Sequence, residues 1–187
     1  MRTTIRRAAA AITAALAVGT GSAIWAASSA SAAPAAASRP AALIPVCTAA
    51  DLSVWVNISL VQGAAGTWYY PLEFTNDSAH TCRTWGWPGV SAANAEDRQL
   101  GDAAQRLHNY TPEWVNIGAG ATAHALLSYS NAEVQTSGCK PTNASQIKVY
   151  APNQFSFDIG FFSLPACTVG GSHVYLRVAS IQPGTNI

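Results

Sequence analysis

Charge is scarce in this chain: ten Lys and Arg and nine Asp and Glu make up 10% of its 187 residues. Three of the ten basic residues, Arg2, Arg6 and Arg7, precede an apolar run. Without that leader the remainder holds seven basic against nine acidic residues, a net of −2. No Lys/Arg cluster occurs in it, so the electrostatic footprint by which proteins hold nucleic acid or anionic membrane is missing, and both are set aside as partners. Catalytic signatures are equally thin. No Gly-x-Ser-x-Gly elbow presents a serine nucleophile, and no C-x-x-C pair suggests a zinc site. The only adjacent carboxylates, Glu96 and Asp97, are consecutive residues at a turn, where side chains point apart into solvent rather than converging on a substrate. His80, His108, His124 and His173 lack the paired spacing of metal ligands. These absences predict a protein with no catalytic residue, no metal and no cofactor.

Long hydrophobic runs are also missing, with one exception. Behind the three arginines lies an Ala-rich apolar stretch from Ala8 to about Ala27, followed by Ser28-Ser29-Ala30-Ser31-Ala32. A basic start, an apolar middle and a small-residue site read as an export signal over residues 1–32, cut after Ala32. The stretch is barely long enough for a membrane span and is diluted by Thr, Gly and Ser. Residues 33–45, APAAASRPAALIP, read as a flexible or semi-extended spacer. The residues just before Cys47 do not make a lipid-attachment box. The expected product is a released protein, extracellular or wall-associated and monomeric, with one domain over 46–183 and a short tail, 184–187.

Alternation is what the domain has in quantity. Leu52, Val54, Val56, Ile58 and Leu60 alternate with Ser53, Trp55, Asn57 and Ser59, which is the period of a strand. After the turn-like Gln62-Gly63-Ala64-Ala65-Gly66, a second run sets Trp68, Tyr70, Leu72 and Phe74 on one face and Thr67, Tyr69, Pro71 and Glu73 on the other. The two runs predict neighbouring antiparallel strands. Further short runs follow, among them Trp85 to Ala92, Trp114 to Ile117, Thr122 to Tyr129, Ser145 to Tyr150, Phe155 to Phe162 and Val174 to Ile181, punctuated by Gly, Asn and Pro. Only Asp102 to His108 has helical character, and it reads as a loop or a single turn. The fold class is therefore all-β, an immunoglobulin-like antiparallel β-sandwich of about seven to nine strands.

Four cysteines, Cys47, Cys82, Cys139 and Cys167, follow the leader. An even count in an oxidising compartment predicts two disulfides, for which three connectivities exist. Cys47 with Cys82 and Cys139 with Cys167 is the favoured pairing, because each bridge then closes a loop of about 30 to 35 residues around neighbouring strands, worth about 3 to 4 kcal/mol.

The order of these features resembles a known family. Cys47 stands before an alternating strand, Gly63-Ala64-Ala65-Gly66 before a second, and Phe74-Thr75-Asn76-Asp77-Ser78 leads to Cys82. Gly86-Trp87-Pro88-Gly89-Val90 comes next, then Val115-Asn116-Ile117-Gly118-Ala119-Gly120-Ala121-Thr122-Ala123, then Cys139-Lys140-Pro141 and Cys167. Over Val46 to Ile181 this is similar to an exported actinobacterial family known as domain of unknown function 4232. The chain departs from that pattern at Ala119, where a proline is common, which alters a turn and no chemistry. The resemblance implies a secreted or surface β-sandwich and supplies no activity, ligand or catalytic residue.

Aromatic rings carry the functional expectation. Beyond the leader stand Trp55, Trp68, Trp85, Trp87 and Trp114 together with six tyrosines. An indole joins a large apolar plane to a hydrogen-bond donor and suits sugar or peptide surfaces. Trp68 shares a face with Tyr70, Leu72 and Phe74 and is expected in the core. Trp55 and Tyr69 fall opposite the main apolar rows. In the corner TCRTWGWPGV, Trp85 and Trp87 would share one side of an extended segment and be buried or exposed together. Trp55, Tyr69, Trp85 and Trp87 are thus the candidate binding residues of a non-catalytic module for an extracellular protein or a cell-envelope glycan. An envelope hydrolase and a purely structural domain are the alternatives.

Overall fold

Strand alternation governs the observed architecture. The structure is a computed structural model that describes residues 43–131, 138–168, 174–185 and 187. The chain divides into Met1–Pro40 and Ala41–Ile187, and every described residue belongs to the second unit. The export signal over 1–32 and residues 33–42 of the spacer lie outside the described residues.

Along the chain the strands are β1 (Leu52–Val56), β2 (Gln62–Ala64), β3 (Thr67–Asn76), β4 (Cys82–Thr84), β5 (Gly89–Ala93), β6 (Gln99–Leu100) and β7 (Gln105–Arg106). They continue with β8 (Val115–Ile117), β9 (Thr122–Ser130), β10 (Pro141–Tyr150), β11 (Phe157–Cys167), β12 (Leu176–Val178) and β13 (Gln182–Pro183). The larger sheet runs β1-β3-β9-β12-β7, with β2 also on β3 and β13 also on β9. A second sheet runs β11-β10-β5-β6, and β4 pairs with β8 in a separate ladder. β1 and β3 are antiparallel neighbours, with Val54 opposite Phe74. The expectation of a wholly antiparallel sandwich needs one amendment: β7 lies parallel to β12, so the segment read as a loop or single turn is partly an edge strand.

Two sheets with one apolar face each must bury those faces together. Leu72, Phe74, Leu127, Ile147, Val149, Leu164, Leu176 and Val178 form the core between them, and each such side chain stabilises the fold by about 1.5 to 3 kcal/mol. Tyr70 meets Phe162 edge-on across the sheets, ring centroids 4.8 Å apart. The disulfides are Cys47–Cys82 and Cys139–Cys167, spanning 35 and 28 residues.

Two local expectations fail for identifiable reasons. The first alternating run stops at Val56, because the Asn57 side chain accepts the Ser59 N–H and caps a 3-10 turn over Ile58–Leu60. In β3, Trp68 is 47% exposed rather than in the core, while Glu73, on the supposed outer face, is only 3% exposed. Trp68 sits near the start of its strand beside the Ala65-Gly66 turn, with its ring lying against Gly63 of β2. Glu73 lies between Trp55 and His124 in register, and its Oε1 accepts a 2.7 Å hydrogen bond from Asn57 Nδ2.

Candidate functional site

The two-stranded ladder of β4 and β8 has a buried face and an open one, and strand period decides which residue goes where. Cys82, Thr84, Val115 and Ile117 point inward and are buried. Cys82 faces Ile117, Arg83 faces Asn116 and Thr84 faces Val115. One step further along this register, Trp85 stands opposite Trp114. The outward face of the ladder is therefore Arg83, Trp85, Asn116 and Trp114.

These side chains form a ledge. Trp85 and Trp114 are 40% and 52% exposed, with ring centroids 6.4 Å apart and planes inclined by 38°. The Arg83 guanidinium carbon lies 4.4 Å from the Trp114 ring centroid, within cation–π range. Trp85 is fixed at two points: its Nε1–H donates to the Pro112 carbonyl at 3.2 Å, and its own carbonyl accepts from Asn153 Nδ2 at 3.2 Å. Arg83 is fixed through its backbone, donating to the Pro45 carbonyl at 2.8 Å and accepting from Cys47 N–H at 2.9 Å. The ladder itself is tied to the sandwich from behind. The Cys47–Cys82 bridge holds β4, and the fully buried Asn76 amide donates to the Ile117 carbonyl at 2.8 Å, holding β8.

The four candidate residues do not share one site. Trp85 belongs to the ledge. Trp87 does not pair with it: Gly86 adopts φ +103°, so the segment is not extended and alternation does not carry across. Trp87 is half-buried, its Nε1–H donating to the Leu107 carbonyl at 2.7 Å and its ring lying 4.9 Å from that of His108. Trp55 is 46% exposed on the outer face of the larger sheet, opposite Glu73. Tyr69 is on the same face of β3, four residues from Glu73, which separates it from Trp55 by about 13 Å along the strand. It lines a groove of about 250 Å³ with Gln62, Tyr110, Leu126 and Ile187. His124 borders the adjoining groove and donates from Nδ1 to the Gly184 carbonyl at 2.9 Å.

Arg83, Trp114 and Asn116 are the ledge residues that the sequence reading overlooked. The signal was available: in Trp114-Val115-Asn116-Ile117, two buried aliphatics alternate with an indole and an amide that must then face out.

Among the described residues no group of three or more His, Cys, Asp or Glu could hold a metal, and no cysteine is free. No helix among them is long and apolar enough to cross a membrane. Fold and disulfides define the class, a disulfide-braced β-sandwich domain. The chain belongs to the family described as domain of unknown function (DUF4232), whose model matches residues 47–181. Comparison with curated proteins and with solved structures gave no match.

Proposed function

We propose that this protein is a non-catalytic, exported module that binds a cell-envelope glycan through the ledge of Trp85, Trp114, Arg83 and Asn116. Export is supported by the leader pattern of residues 1–32, and two disulfides are compatible with an oxidising, extracellular setting. One observation carries the binding reading: Trp85, tied through its Nε1–H to Pro112, and Trp114 stand ring beside ring while about half of each stays in water. Exposed indole surface gains free energy when covered, and rings already ordered lose little conformational entropy on binding.

A sugar ring presents an apolar C–H face and a polar rim, and the ledge offers the complement of both. The indoles supply planes, while Arg83, Asn116 and Asn153 supply hydrogen-bonding groups around them. The favoured partner is a glycan rather than a protein because a stable protein interface covers about 800 Å² per partner with an apolar centre, whereas this ledge is two rings wide and polar at its edge.

Retention on insoluble cell-envelope polysaccharide provides the test. Trp114→Ala is expected to cut retention about tenfold or more, the effect of losing about 1.4 kcal/mol of stacking, and Trp55→Ala is expected to leave it unchanged. Equal retention of wild type and Trp114→Ala would remove the ledge from the account. Ledge-dependent capture of a secreted protein without glycan binding would transfer the site to a protein partner.

A further inference from the structure

We infer that the ledge selects saccharides carrying an anionic oxyacid group and that Arg83 is the residue that reads it, an inference that rests on the glycan-binding reading above. Arg83 pairs with no carboxylate among the described residues, and neither of its Nη nitrogens has a hydrogen-bond partner there. Its Nε is buried without an acceptor. That N–H has surrendered hydration without a protein acceptor in exchange, while the rest of this partly exposed side chain stays open to solvent and to a ligand.

An anion on the ledge would meet the outer Nη groups, since the Nε edge is closed to solvent. Trp114 occupies one face of the guanidinium at 4.4 Å, so the charge remains available to a ligand lying against that ring. The backbone of Arg83 is held on both sides by Pro45 and Cys47, and Cys82 next to it is fixed to the core by a disulfide. The fork is thus presented from a rigid strand and needs little ordering on binding. Asn116, directly opposite in the ladder and exposed, adds an amide that can donate to the same ligand. A sugar stacked on Trp114 brings a ring substituent towards both. Guanidinium matches two oxygens of a carboxylate, sulfate or phosphate with two N–H groups, and an uncharged hydroxymethyl cannot use that fork. Arg106 also lies near an indole, 5.6 Å from Trp87, but it is exposed and belongs to another strand, which makes it a control.

The experiment titrates tryptophan fluorescence with three probes: an oligogalacturonate, its fully methyl-esterified counterpart, and a sulfated galacto-oligosaccharide of equal length. The acid and the ester share rings and linkages and differ in charge. The protein is expected to bind the acid about five- to tenfold more tightly than the ester at low salt, with the difference shrinking as salt rises. Arg83→Gln is expected to bring acid and ester to the same affinity. Arg83→Lys should retain part of the preference, and Arg106→Gln all of it. An Arg83-dependent preference for the sulfated probe over the galacturonate would also support the inference and assign the anion to a sulfate ester. Equal binding of acid and ester by the wild-type protein would overturn the anionic selection and leave the glycan reading standing. If none of the three probes binds, both readings fall. An unchanged far-ultraviolet circular dichroism spectrum of Arg83→Gln shows that the variant is folded.

Discussion

Tyr175 shows at the scale of one residue how packing sets chemistry. It is 1% exposed, and its hydroxyl donates to the Leu100 carbonyl at 2.7 Å. Burial pushes the phenol from its ordinary 10.0 up to about 12. Because the folded value is raised, this group's stabilisation is whole below about pH 10 and is lost as pH climbs from there towards 12. Tyr175→Phe should cost about 1 kcal/mol at pH 8 through the lost hydrogen bond. It should also make the fall in thermal stability between pH 10 and pH 12 shallower than in the wild type, which denaturation at both pH values checks. Other residues show what the sequence could tell. The outward position of Trp114 was legible from its alternation with Val115 and Ile117. That of Trp68 was not, since period assigns a face but cannot say what lies over it. Burial of Glu73 was hidden for a related reason: its partner Asn57 reaches it from a 3-10 turn that breaks the expected strand.

Among elements, the long strands were readable and the short ones were not. β1, β3 and β9 run over five to ten residues and declare their period, whereas β4 and β7 have three and two residues, too few to show one. Their place is set by distant partners instead: β4 by β8 and by Cys47, β7 by its parallel bond to β12. Gly86 is the clearest case of local geometry defeating pattern, because a positive φ between Trp85 and Trp87 sends the second ring to Leu107 instead of to the ledge. The two disulfides should therefore differ in consequence. Replacing either pair by alanine should lower stability by about 2 to 5 kcal/mol in chemical denaturation. Replacing Cys47 and Cys82 should also weaken glycan binding, because β4 carries Arg83 and leads directly into Trp85. Replacing Cys139 and Cys167 should leave the affinity of the folded protein unchanged. Equal effects on binding would mean that the ledge does not depend on its local brace.

For the whole molecule, the all-β class and both disulfide pairings followed from the sequence, since alternation and loop length are local quantities. The grouping of functional residues did not. Trp55, Tyr69, Trp85 and Trp87 were selected one strand at a time, and three-dimensional neighbourhood depends on sheet order, which period does not contain. The sandwich distributes them over a sheet face, a groove and a corner, and it places Trp114 beside Trp85 through the β4–β8 register. The corner TCRTWGWPGV is accordingly both brace and surface, with Cys82 inward to the disulfide and Trp85 outward to solvent. The central claim is that this surface receives a glycan, and the indole N–H resonances test it most directly. On titration with a bound oligosaccharide, the account predicts that the Trp114 indole signal shifts most, that Trp85 follows, and that Trp55, Trp68 and Trp87 stay in place. Shifts concentrated at Trp55 or Trp68, or none at Trp114 under saturating ligand, would contradict it.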